Sequence, residues 1–260
     1  MTDLELAEDL ARRAGAVLLA HAGRVNVSKK GARDLVTEAD HASEALILKG
    51  LASARPDDMV LAEETRSSTP MKGRVWIVDP LDGTTNYIYD IPHYAVSIAL
   101  SVDGRVTAGC VFNPRLDECF TAALGEGAWL GPRRLAVRQE SRLSEAVLCT
   151  GFHYRMEEKA DSNLGNFAAM AARTRGLRRL GSAALDLSYT GLGRYDGFWE
   201  LHLSPWDVAA GALVASEAGA LVTDRLGGED WLSGGSIVAA NASLAQAMRG
   251  VLALPEKTMA

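Results

Sequence analysis

The chain has 260 residues, enough for one large or two small domains at about 150 residues each, and 48% of them are apolar, which allows a sizeable core. Net charge is −6 and basic residues are scattered except at "RVNVSKKGAR" and "RTRGLRR", so nucleic-acid binding is not the main expectation. Three cysteines, Cys110, Cys119 and Cys149, with no CxxC pair, read as buried thiols in a reducing compartment and imply neither a disulfide framework nor a zinc knuckle.

In chain order, Leu6, Leu10, Ala14, Val17 and Leu18 recur at helical spacing, and acids and two arginines interrupt the apolar stretch. This is an amphipathic helix, opened by a Thr2/Glu5 capping box, rather than a signal peptide or membrane span. A soluble, cytoplasmic protein is therefore expected. A second helix is predicted from Glu38 to Ser53, after Thr37 and before Arg55-Pro56, because a residue preceding Pro is pushed out of helical geometry. "MVLAEE" reads as a short strand ending in acids, and "VWIV" as a buried strand ending at Val78. Then "YAVSIALSV", "DGRVTAGCVFNP" and "DECFTAAL" form an antiparallel meander turned at Asp103-Gly104 and Asn113-Pro114, with "EGAWLGPRRLAV" as its edge.

From Ser162 the pattern alternates: helix "SNLGNFAAMAARTR", strand "LRRLG", helix "SAALDLSYTGLG", strand "GFWEL", helix "SPWDVAAGALVASEAG", strand "ALVTD", then "SIVAAN" and "ASLAQAMRGVLAL". The change of pattern predicts an α+β part (1–145) and an α/β part (146–260), with a boundary near Leu143 to Phe152 and a cleft between the halves of one body.

The chemistry concentrates in "DPLDGT". Asp79 and Asp82 lie three residues apart across a Pro that fixes φ and a Gly that permits close backbone approach. With the Leu81 carbonyl they offer oxygen ligands of the kind that suits a hard cation. Gly83-Thr84 would then open a helix whose N–H groups attract phosphate. A turn that merely solvates would rarely place acids at both corners with a Thr beyond. Glu63 ends another strand, and Asp207 falls at the third position of a helix capped by Ser204 and begun by Pro205, where capping alone would also explain it. Four such acids close together would repel one another unless divalent cations neutralised them, and that combination serves two-metal phosphate-ester hydrolysis.

"DLVTEAD", "AEE", "WIVDPLDGTTNYIYDIPHYAVSIAL", "GCVFNP", "GEGAWL", "LGSAALDL" and "WELHLSPWDVAAGALVASEAGA" resemble, in order and spacing, the inositol monophosphatase family of Mg²⁺-dependent, Li⁺-sensitive phosphatases. "DPLDGTTN" and "PWDVAAG" are the specific pieces. The resemblance implies a layered α/β sandwich, α-β-α-β-α, and two or three Mg²⁺ per site, with Mn²⁺ as the substitute. Glu63, Asp79 and the Leu81 carbonyl would hold the first metal, and Asp79, Asp82 and Asp207 the second. Gly83 and Thr84 would meet the phosphate, while Asp40 and Thr84 orient, and Glu63 helps activate, the attacking water. Gly181, Ser182, Ala183 and Glu200, with Asp82, would bind the alcohol; Lys29 matches a basic residue nearby.

Thr85-Asn86-Tyr87 after the motif is closer to the inositol branch than to the nucleotide-bisphosphate branch. The expected substrate is a sugar or polyol monophosphate, inositol 1-phosphate first. Fructose bisphosphate, histidinol phosphate and nucleotide phosphates such as NADP are the alternatives, and Arg155 could recruit a second phosphate. Expected partners are this small molecule and a second copy of the chain, with no membrane and no nucleic acid. A non-enzymatic alternative is binding to the transcription machinery. His93 reads as structural, His202 stays open between supporting the site and packing, and Trp206 is expected to pack the helix start beside Asp207.

Overall fold

The computed structural model describes residues 1–23, 27–29, 35–65, 69–159 and 161–252. Helix α1 (Asp3–His21) opens as its sequence dictates: Thr2 Oγ1 accepts from the Glu5 N–H and Glu5 returns a bond to the Thr2 N–H. After a two-stranded ribbon, β1 (Val27–Lys29) with β2 (Leu35–Thr37), comes α2 (Glu38–Ala54), capped by Thr37. Only the backbone of β1 is described, so the Lys29 side chain lies outside the described residues.

A seven-stranded sheet follows, β3 (Met59–Ala62), β4 (Arg74–Asp82), β5 (Ala95–Val102), β6 (Arg105–Asn113), β7 (Glu118–Ala123), β8 (Gly127–Leu130) and β9 (Arg133–Arg134), with neighbours in chain order. The β3–β4 pair is parallel and the rest is the expected antiparallel meander. Asp103 and Gly104, both at positive φ, turn β5 into β6. Alternation along the strands serves two cores. Trp76, Val78, Val96, Ile98 and Leu100 face α1 and α2, whereas Val75, Ile77, Ala95 and Ala99 face the opposite side. That double burial is why "VWIV" reads as an unbroken apolar run.

The second sheet has the order β11 (Gly176–Arg178), β10 (Val147–Thr150), β12 (Gly197–Leu201), β14 (Ser236–Ala240), β13 (Leu221–Thr223). Between the sheets lie α5 (Ala183–Leu192) and α6 (Pro205–Glu217), whose buried residues share one core with both sheets. Contact there is close: a Cβ added to Gly109 of β6 would sit 3.0 Å from the Ala210 Cα of α6. Outside the second sheet, α4 (Leu164–Ala171) and α7 (Ala242–Leu252) bury Met170, Leu244 and Met248 with Leu148, Trp199 and Val238. The layers run α, β, α, β, α, as expected.

Three sequence boundaries move. Helix α4 is shorter than "SNLGNFAAMAARTR", and β11 covers only the first half of "LRRLG" and the residue before it. The strand expected to end at Val78 runs on to Asp82, because a bulge absorbs Pro80 and Leu81 before pairing resumes at Asp82 and Ala95. Short α3 (Thr84–Ile88) follows directly, and Gly83 makes the corner at φ 93°.

Candidate active site

Parallel pairing of β3 with β4 brings two acids together at the carboxyl ends of neighbouring strands. Ala62 lies beside Val78, and the Glu63 N–H donates to the Val78 carbonyl at 3.1 Å, so Glu63, just past the end of β3, comes beside Asp79 in β4. The bulge then turns the chain so that Asp79 Oδ1 accepts from the Leu81 N–H at 3.0 Å. Asp82 crosses to the other half of the molecule, where its Oδ2 accepts from Ser182 Oγ and from the Ala184 N–H, both at 2.7 Å. A carboxylate there sits against the positive end of α5. Asp207 stands at the third position of α6, with Oδ2 accepting from the Ser204 N–H at 2.7 Å. Each aspartate therefore has one oxygen fixed by a protein donor and a second without one among the described residues.

Burial raises the Asp79 carboxyl well above its usual value, and Glu63, Asp82 and Asp207 raise it further. Asp82 is pushed up to about 6, chiefly by burial, against the hydrogen bonds from Ser182 and Ala184 that favour its charged form. Asp207 is also raised, by burial first and then by Asp82 and Glu63. Four acids from three segments thus repel one another in a buried place. Among the described residues no three acidic, histidine or cysteine side chains stand close enough to share one ion as placed. The donor set nevertheless fits hard divalent cations, being all oxygen and electrostatically unsatisfied, so ion binding requires the free oxygens to draw inward.

Beside the acids, Thr84 Oγ1 lies 3.2 Å from both Asp40 Oδ1 and the Leu81 carbonyl. Asp40 Oδ2 accepts from the Thr37 N–H at 2.9 Å and from Thr37 Oγ1 at 2.5 Å. Burial nonetheless raises the Asp40 carboxyl. Gly83 is confined as well as bent, since a Cβ there would meet the His93 carbonyl at 3.0 Å and the Gly181 carbonyl at 3.3 Å.

The acids open onto a cavity of about 660 Å³ whose wall includes Glu63, Asp82, Asp207, Gly181, Ala183 and Glu200. Glu200, buried on β12, lies over Gly151 so closely that a Cβ there would fall 2.1 Å from Oε2. Burial, with Asp186 and Asp207, raises the Glu200 carboxyl well above normal. Ser182 differs from expectation: it is fully buried behind Asp82, holding that carboxylate and capping α5, and does not line the cavity. Asp40, Asp79, Leu81, Gly83 and Thr84 likewise lie beneath the cavity wall rather than in it.

His93 is buried and bonded to Asp186 Oδ1 at 3.0 Å, tying the segment between α3 and β5 to α5. His202 bonds the Asp161 carbonyl at 2.7 Å and stands edge-on to His153. Trp206 packs against the inter-sheet core and its carbonyl lies 3.4 Å from Ser97 Oγ.

Sequence reading missed Asn86, whose Nδ2 donates to the His93 carbonyl at 2.6 Å and the Leu180 carbonyl at 2.8 Å, joining the halves beside the site. It also missed Tyr154. Tyr154 lines the cavity, and burial there, with the charges of Asp82, Asp207, Glu63 and Asp79, raises its hydroxyl well above normal. No local pattern marks either residue, because their partners are distant in sequence.

Residues 2–254 match the model of the inositol monophosphatase family. An inositol-1-monophosphatase of Rhizobium meliloti is 44% identical over 232 residues, covering 89% of this chain and 87% of the relative. The Nus factor SuhB of Vibrio cholerae is 42% identical, over 92% of this chain and 91% of its own. Among solved structures, the inositol monophosphatase of Anabaena superposes with a TM-score of 0.89 at 37% identity, covering 97% of this chain and 96% of that one.

Proposed function

The chain belongs to the inositol monophosphatase family, and we propose that it is a Mg²⁺-dependent phosphatase of a polyol phosphate monoester, inositol 1-phosphate first. The observation that carries this reading is the clustering of four acids, Glu63, Asp82 and Asp207 in the wall of one cavity and Asp79 behind it in electrostatic contact with all three, with the Thr84–Asp40 pair beneath. Mg²⁺ held by Glu63, Asp79, the Leu81 carbonyl, Asp82 and Asp207 would lower the pKa of a water and offset the charge of the departing alkoxide.

The chain's own residues supply the rest. The Thr84 hydroxyl donates its one proton to Asp40 or to the Leu81 carbonyl, which leaves its lone pairs to accept from the attacking water and aim it. Glu63 shares in taking that water's proton. The first-turn N–H groups of α3 have no partners within the helix and face phosphate oxygens, with Gly83 allowing the approach. Glu200 accepts hydroxyl hydrogen bonds from the polyol beside Gly181 and Ala183.

The test is a phosphatase panel of inositol 1-phosphate, fructose 1,6-bisphosphate, histidinol phosphate, NADP and p-nitrophenyl phosphate. Highest kcat/KM on inositol 1-phosphate, loss of turnover in EDTA and inhibition by Li⁺ are expected. Hydrolysis that persists without divalent metal, or a phosphorylated side chain trapped during turnover, refutes the mechanism.

A second reading, a non-catalytic role in transcription, is favoured by the relative named Nus factor. The exposed Arg173, Arg175, Arg178 and Arg179 near β11 would be the contact. Retention of RNA polymerase subunits by an Asp79→Asn variant in a pull-down would support it, and no retention would leave the enzyme alone.

A further inference from the structure

Glu63 and the run from Asp79 to Thr84 sit on two separate segments, and one face of α2 touches both. Asp40, Ser43 and Glu44 are each buried on that face. Asp40 meets Thr84 at the start of α3. Ser43 Oγ donates to the Pro80 carbonyl at 2.9 Å. Glu44 accepts from the segment that follows Glu63: Oε2 from the Glu64 N–H at 2.9 Å and Oε1 from Thr65 Oγ1 at 3.0 Å.

Each contact satisfies a group that the sheet leaves over. The bulge takes Pro80 and Leu81 out of strand pairing, and both their carbonyls are met by hydroxyls, Ser43 for one and Thr84 for the other. Beyond β3 the chain has left the sheet, and a buried carboxylate collects its next donors. Burying Glu44 would be costly without them. With them, a rigid helix fixes how far the Glu63 segment stands from the Asp79–Asp82 bulge.

We propose that Glu44, assisted by Ser43, is a positioning residue that sets the spacing of the two ligand-bearing segments and hence the affinity for Mg²⁺, without touching the ion. The proposal rests on the metal-site reading above. Partners that orient metal ligands are typically worth about 10–100-fold in affinity.

The experiment is calorimetric titration of Mg²⁺ into EDTA-stripped, full-length protein, with circular dichroism confirming the fold. Glu44→Ala should weaken binding by about 10–100-fold. Glu44→Gln should stay near wild type, because its carbonyl oxygen can take the Glu64 N–H while its amide donates to Thr65. Thr65→Val, which removes one of the two bonds, should fall between. A folded Glu44→Ala that binds Mg²⁺ as the wild type does overturns the proposal. If Glu44→Ala does not fold, wild-type affinity in Thr65→Val overturns it instead. A wild-type protein that binds no Mg²⁺ refutes the metal reading itself, which separates the two failures.

Discussion

Asp79 carries the densest set of demands of any side chain here, being buried, held through Oδ1 by the Leu81 N–H and surrounded by three other acids. Asp79→Asn keeps the shape and removes the charge. It is expected to lower kcat by at least about 10³-fold at saturating Mg²⁺ if metal-activated water is the nucleophile, and steady-state kinetics within tenfold of wild type would exclude that role. Glu200 separates specificity from chemistry. Glu200→Ala should cost about 1.5–3 kcal/mol per lost charged hydrogen bond in kcat/KM on inositol 1-phosphate, with little change on p-nitrophenyl phosphate, which lacks the hydroxyls. Equal losses on both substrates would make Glu200 a support of the fold. These acids were legible as residue types in short motifs. Ser182 was expected among the residues that bind the alcohol, but the structure turns it away from the cavity to hold Asp82.

At the scale of elements, the site is assembled where regular structure stops. The bulge in β4, the corner at Gly83 and the N-termini of α5 and α6 each present donors or carboxylates that a continuous strand or helix would have consumed. Gly83→Ala tests the corner. The left-handed backbone costs an L-residue roughly 1–2 kcal/mol, and the new Cβ would press on two backbone carbonyls. Lower melting temperature and weaker phosphate inhibition are expected together; an unchanged phosphate inhibition constant would detach the corner from phosphate binding. Asp207→Asn tests the start of α6. Loss of that cap carboxylate should cost about 1 kcal/mol of stability and raise the Mg²⁺ concentration needed for half-maximal rate. The capping box of α1, Thr37 as the opener of α2 and the Ser204/Asp207 start of α6 were readable beforehand because a cap is a local exchange between residues three apart. The bulge was not, since its existence depends on the register that β4 finds against β5.

For the molecule as a whole, the acid cluster is a stability term as well as an active site. The folded carboxyls of Asp79, Asp82 and Asp207 lie above their ordinary values, so the metal-free native state holds protons that the unfolded chain has released. Stability linked to these groups is therefore present at low pH and lost as pH rises; for Asp82 the window runs from its ordinary 3.8 to about 6. Mg²⁺ should restore what is lost by binding the folded state alone. Melting temperatures in excess Mg²⁺ and in EDTA are expected to diverge as pH rises across that window. Coincident curves at neutral pH would mean that no preformed acidic site exists. Among the described residues no helix is long and apolar enough to cross a membrane, and the three cysteines are buried and free.

What the sequence determined by itself is whatever rests on neighbours in the chain: the capped helices, the meander with its Asp103-Gly104 turn, the buried strand of "VWIV", and the acids of "DPLDGT" and "PWD". Motif resemblance added the layered fold and the carboxylate ligand set as an ordered pattern of short segments. Tertiary structure alone decided which acids face one another, that Ser182 and Asn86 bind the halves together, that Tyr154 joins the cavity wall with Glu63, Asp82 and Asp207, and that one face of α2 braces both the Glu63 segment and the Asp79–Thr84 run. Those facts depend on contacts between residues 20 to more than 100 positions apart. Such contacts form only when the sheets and helices pack, so no local pattern records them.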